Sequence, residues 1–68
     1  MIVLVNGDEQ HLRERASVRD AVLAAGAPEE GRGVAVALDG EVVPRGRWDD
    51  VLLADGQRVE VVQAVQGG

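Results

Sequence analysis

The sequence predicts an α+β domain in which a mixed sheet of about five strands carries one main helix on one face. Three observations lead there. Short Val-rich runs show strand periodicity. Three turn signals, Asn6-Gly7, Asp39-Gly40 and Asp55-Gly56, punctuate the chain. A single stretch after Ser17 switches to helical spacing. The 68 residues suffice for one core only, and the balance of 46% apolar to 28% charged is that of a globular chain. A chain this short buries about 60% of the surface its unfolded form exposes. No large catalytic cleft fits inside it, and stability requires the local signals to agree.

Ile2 to Val5 reads as an interior strand, because it is apolar on both faces and β-branched. Asn6-Gly7 suits a type I′ turn, which needs positive φ at both central residues. Gln10 to Glu14 is then the return strand; only Leu12 is apolar, which suits an edge. Ser17 is a good N-cap, with Asp20 in the capping-box position. Val18, Ala21, Val22 and Ala25 follow on one helical face, and Gly26 and Pro28 stop the helix. Glu29 to Gly33 is a polar loop.

Val34, Val36 and Leu38 alternate with Ala35 and Ala37 as a strand, and Asp39-Gly40 turns the chain into Glu41-Val42-Val43, closed by Pro44. Arg45 to Leu53 is an irregular crossing segment containing Trp48, the sole aromatic residue. Arg58 to Val65 is the last strand, with Val59, Val61 and Val65 on one face and Val62 and Ala64 on the other. Strands one and five are the most apolar and are expected side by side in the centre. This order of elements is the β-grasp arrangement, as in ubiquitin. The domain is assigned to residues 1–65, and 66–68 to a flexible C-terminal Gly-Gly tail.

Composition removes most enzyme classes. The net charge is −5, from twelve acidic residues against seven Arg, and there is no Lys. A pI near 4.6 argues against nucleic acid, which needs a basic stripe. Without Lys, Schiff-base chemistry is excluded. Without Cys, disulfides, thiolate catalysis, zinc–thiolate sites and iron–sulfur ligation are excluded, a β-grasp ferredoxin included. One His cannot build a His-rich metal site, so no metal is expected. No leader and no membrane span is recognisable, so the expected location is cytoplasmic, with no membrane partner.

The chain ends Gln66-Gly67-Gly68. Following a strand at the end of this pattern, such a tail can thread a narrow tunnel and bring its carboxylate beside a nucleotide, since Gly has no Cβ. The competing reading is a frayed terminus.

At this point the sequence resembles the ThiS family, the ubiquitin-like sulfur carriers of thiamine biosynthesis. The resemblance rests on Val5-Asn6-Gly7, on the long run VAVALDGEVVPRGRW from Val34 to Trp48, and on DGQRVEVVQAVQGG from Asp55 to Gly68. The family usually has Asn where Asp39 stands, and both suit the turn. The stretch from Glu14 to Gly33 agrees in pattern only.

The resemblance implies a carrier and not an enzyme. A ThiF-like adenylating enzyme would use ATP to convert the Gly68 carboxylate to an acyl-adenylate, and a sulfur donor would turn it into a thiocarboxylate. Thiazole synthase, ThiG-like, would take that sulfur into the thiazole moiety. No cofactor is then expected on this chain, because ATP belongs to the adenylating partner, and the free carrier is expected to be monomeric. The composition agrees: without Cys the chain cannot hold sulfur as a persulfide, which leaves the terminal carboxyl.

Val62 and Ala64, with Ala35 and Ala37, would form an apolar patch on the sheet face away from the helix. Two readings stand: a docking face for partners, or a face covered by the crossing segment. Val65 and Gln66 adjoin the tail, so any enzyme holding Gly68 passes over them. Trp48 is expected to plug one end of the core. Arg45, Arg47 and His11 are expected on the surface. The pairs Glu29-Glu30 and Asp49-Asp50 read as solvated loop charge, because adjacent carboxylates in a regular element point apart.

Two alternatives remain at this stage. One is a related β-grasp carrier serving molybdopterin or cysteine synthesis, which also ends in Gly-Gly. The other is a non-covalent ubiquitin-like interaction module whose terminal glycines do nothing.

Overall fold

The two type I′ signals set the registers of the sheet. Asn6 and Gly7 have φ of 52° and 86°, and Asp39 and Gly40 have φ of 49° and 87°. Positive φ at both central residues twists a two-residue loop to match its strands. The computed structural model describes residues 1–64. Strand β1 (Ile2–Val5) turns at Asn6-Gly7 directly into β2 (Asp8–His11), pairing Val5 with Asp8 and Ile2 with His11. Strand β3 (Val34–Leu38) turns at Asp39-Gly40 into β4 (Glu41–Val43), pairing Leu38 with Glu41. Strand β5 (Arg58–Gln63) lies between the hairpins, parallel to β1 and antiparallel to β3. The order β2-β1-β5-β3-β4 puts β5 in the middle with β1 beside it, the β-grasp arrangement.

The observed β2 begins two positions before the expected Gln10 and ends at His11, leaving Leu12 to Glu14 outside the strand. The reason is geometric. A two-residue turn leaves no spare residues, so Asp8 and Glu9 must pair whatever their weak strand propensity. Strand β5 ends at Gln63 among the described residues. Ala64, expected within the strand, already lies past its end, while Val65 and the tail at 66–68 lie outside the described residues.

Helix α1 (Val18–Ala24) has seven residues, too few to persist alone, so its ends matter. The Ser17 side chain accepts from the Asp20 N–H, while the Asp20 carboxylate accepts from the Ser17 N–H at 2.7 Å. The shorter Asp therefore completes the capping box that Glu usually forms. At the other end the Ala27 N–H reaches the Val22 carbonyl and the Gly26 N–H the Leu23 carbonyl. With Gly26 at φ 79°, this is a Schellman stop.

Val18, Ala21 and Val22 of α1 pack on Val3, Val5, Val36, Val59 and Val61 of the sheet. Ala25, on the same expected face, is half-buried. The crossing segment opens with a short 3-10 turn, Arg45–Arg47, and then lies along the helix start. There the Val18 N–H donates to the Val51 carbonyl and the Leu53 N–H to the Ala16 carbonyl. Trp48 is 1% exposed and closes that end of the core. Its indole N–H donates to the Val43 carbonyl at 2.9 Å, and Arg19 lies over its ring, 5.6 Å from the centroid. Gly31 makes room: a Cβ there would sit 2.6 Å from the ring at φ 72°. No helix among the described residues is long and apolar enough to cross a membrane.

Candidate functional site

The C-terminal end of β5 is held from both sides. On the β1 side the parallel ladder runs from the Leu4 N–H to the Gln57 carbonyl and from the Asn6 N–H to the Val59 carbonyl, both at 2.9 Å. Asn6 then leaves the strand for the turn, and its side chain continues the ladder. Its amide Oδ1 accepts from the Val61 N–H at 2.8 Å, and its Nδ2 donates to the Val61 carbonyl at 3.1 Å. On the β3 side the Ala64 N–H donates to the Gly33 carbonyl at 2.6 Å, one step past the strand. The chain therefore reaches Ala64 between the β1–β2 turn and the loop at Gly33.

The other end of β5 is tied by the second hairpin turn. Asp39 accepts the Arg58 N–H on Oδ1 at 3.0 Å and the Gln57 side-chain amide on Oδ2 at 3.0 Å. Both type I′ turns thus use an Asn or Asp side chain, tolerant of positive φ, to grip the strand between them.

Side chains directly opposite across antiparallel strands share a face. The pairs Ala35–Val62, Ala37–Glu60 and Ala37–Val42 therefore line the face away from α1. Val62 is 61% exposed and Val42 is 77% exposed; Ala35 and Ala64 are exposed and Ala37 half-buried. The crossing segment does not cover this face. Trp48 belongs to the core on the helix side, and the segment follows it there. Val42 belongs to the same patch, although the sequence reading left it out. The Asp39-Gly40 turn fixes the β3–β4 register, so Val42 beside Ala37 was readable from that turn alone.

Of the expected site residues, Ala35, Ala37, Val62 and Ala64 come together on this face, next to the end of β5. Val65, Gln66, Gly67 and Gly68 lie outside the described residues. His11, Arg45 and Arg47 are exposed. Glu29, Glu30, Asp49 and Asp50 are exposed as well, with Asp49 paired to Arg19. No cluster of metal-ligating side chains occurs among the described residues.

A model of the ThiS family matches residues 3–68. The chain belongs to the ThiS family. It is 30% identical to the thiamine biosynthesis protein ThiS from Geobacter metallireducens over 100% of both chains, and its fold matches that crystal structure with a TM-score of 0.78. The NMR solution structure of a thiamine biosynthesis protein from Geobacter metallireducens also matches, with 30% identity and a TM-score of 0.78, over 100% of this chain and 88% of that one. Comparison with curated protein sequences gives no match. The family match continues past Ala64 through Gly67 and Gly68.

Proposed function

We propose that this chain is a sulfur carrier of thiamine biosynthesis, working through the carboxyl of Gly68. The carrying observation is the ThiS-family match, which extends through the Gly67-Gly68 pair. The chemistry agrees with it. A carboxylate is a poor electrophile until one oxygen becomes part of a good leaving group. A ThiF-like partner supplies that by letting the Gly68 carboxylate attack the α-phosphate of ATP, with loss of pyrophosphate. Sulfide-level sulfur from a donor then attacks the acyl carbon and releases AMP, and the resulting thiocarboxylate gives its sulfur to a ThiG-like thiazole synthase. The chain itself has no Cys, Lys or second His to catalyse these steps, so it acts as a substrate of its partners.

Gln66 and Gly67 would thread the tail into the partner. Val62, Ala64, Ala35 and Ala37 would form the face that docks beside it, and Val65, next to the tail, would be contacted as the partner passes over it. The exposed valine on a sheet with so small a core supports that role.

The test is ATP–pyrophosphate exchange with the cognate adenylating enzyme. The full chain is expected to support exchange, and a chain lacking Gly68 to support none while melting at an unchanged temperature. Equal exchange by the two chains would remove Gly68 from the mechanism.

A further inference from the structure

The Asn6 side chain does something that a turn does not need. A type I′ loop asks only for positive φ, which Asn or Gly supplies. Here the amide also occupies both backbone groups of Val61, the last buried residue of β5 before the exposed Val62, Gln63 and Ala64. The edge of β5 facing β1 has no other strand partner at this level, because β1 ends at Val5 and its pairing with β5 is Leu4–Arg58 and Val5–Val59. Without the amide, Val61 would turn an N–H and a carbonyl towards the hairpin turn with no ladder to meet them.

We infer that Asn6 is a positioning residue for the C-terminal tail: by gripping Val61 it holds the β1-facing edge of the strand end whose other edge β3 and Gly33 hold, and so steadies the direction from which the tail departs. This rests on the proposed function, because it concerns delivery of Gly68 to the adenylating partner. Gly33 holds Ala64 on the β3 side and Asn6 holds Val61 on the β1 side, so the two together set the level from which the tail departs. An anchored exit also lowers the ordering that the partner must impose on binding.

Asp39 supplies an internal control. It grips Arg58 at the opposite end of the same strand, from the same kind of turn. Replacing either residue by Gly keeps positive φ easy and removes the side-chain grip, for Asp39 together with its Gln57 contact. The experiment compares Asn6→Gly and Asp39→Gly in ATP–pyrophosphate exchange with the cognate adenylating enzyme. Amide hydrogen exchange at Val61 is measured on the same proteins.

Because the cost is one of ordering on binding, the apparent KM for the carrier is expected to rise roughly tenfold for Asn6→Gly with kcat within about twofold, and to stay within about twofold for Asp39→Gly. The Val61 amide is expected to exchange faster only in Asn6→Gly. A second variant, Asn6→Asp, keeps the acceptor for the Val61 N–H but sets an oxygen against the Val61 carbonyl, and is expected to raise KM in the same sense. An unchanged KM in both Asn6 variants overturns the inference. Equal rises in the Asn6 and Asp39 variants also overturn it, because general loosening of β5 then explains the effect. If the unaltered chain supports no exchange, the proposed function itself fails and the positioning role falls with it. Exchange by the unaltered chain with no effect of Asn6 removes the positioning role alone.

Discussion

The Asn6 amide and the Val61 backbone form a closed pair, with the Val61 N–H donating at 2.8 Å and the Asn6 Nδ2 donating back at 3.1 Å. The pair spans 55 positions of sequence and joins the first turn to the last strand. Asp39 holds Arg58 at the other end, its Oδ1 accepting the Arg58 N–H and its own backbone N–H donating to the Arg58 carbonyl. The central strand is therefore fixed lengthwise by two turn residues as well as sideways by its neighbours.

Asp39 stands where the resembled family usually has Asn. Asp39→Asn is expected to change stability by less than about 1 kcal/mol, since both residues tolerate positive φ and either offers an acceptor to the Arg58 N–H. Asp39→Ala is expected to cost about 2 kcal/mol, from the lost hydrogen bonds and from a φ of 49° on Ala. Denaturant melts of the three proteins separate these outcomes. Equal loss in both variants would mean that the charge, and not the turn, matters.

Gly31 and Gly33 have nearly the same φ, 72° and 71°, but different surroundings. A Cβ on Gly31 would sit 2.6 Å from the buried Trp48 ring, whereas one on Gly33 would meet the Ala64 Cβ at 3.6 Å, an ordinary contact. Both Ala variants carry the backbone cost of about 1 kcal/mol. Gly31→Ala is expected to cost a further 1–3 kcal/mol, roughly, from overpacking. It should also shift the fluorescence of Trp48, the sole aromatic residue. Equal melting temperatures for the two variants would show that the loop moves aside freely.

Trp48 donates its indole N–H to the Val43 carbonyl from a nearly fully buried position. Trp48→Phe retains much of the packing but orphans that carbonyl, and is expected to cost about 1–3 kcal/mol. Trp48→Ala is expected to cost about 3–5 kcal/mol. That is comparable with the whole stability of a domain this size, so the variant should be largely unfolded by circular dichroism.

Much of this architecture was legible in the sequence because its signals are local. Ser17 and Asp20 announce a capping box, Gly26 a helix stop, and Asn6-Gly7 and Asp39-Gly40 a hairpin each. The start of β2 at Asp8 follows from the two-residue turn, which makes Asp8 and Glu9 pair despite their weak strand propensity. Val42 was missed because its face depends on register across a hairpin, and run composition alone does not give that. The grips of Asn6 on Val61 and Asp39 on Arg58 join residues far apart in sequence, and no spacing rule reveals them. Of the candidate site, the apolar face was legible as alternation along β3 and β5. That it stays open depends on which side the crossing segment takes, which the burial of Trp48 decides.

Val62 is 61% exposed, so Val62→Asp is expected to leave stability within about 0.5 kcal/mol in a denaturant melt. A charge in the middle of the open face should nonetheless weaken binding to the adenylating partner about tenfold or more, because an apolar interface core tolerates an unpaired charge poorly. Titration of the partner reads this directly. Undiminished binding would move the docking face elsewhere.

The most direct test of the central claim uses the absence of Cys. The protein is purified from cells able to sulfurylate it, treated with a thiol-alkylating reagent, and analysed by intact mass and C-terminal fragment mapping. Fragment mapping is needed because sulfur in place of oxygen weighs nearly the same as an oxidised Met1. One adduct located at Gly68 is expected, since the translated chain contains no thiol and a thiocarboxylate is then the group that reacts. No adduct, even after incubation with ATP, a sulfur source and the cognate adenylating enzyme, would contradict the carrier function and leave a non-covalent interaction module in its place.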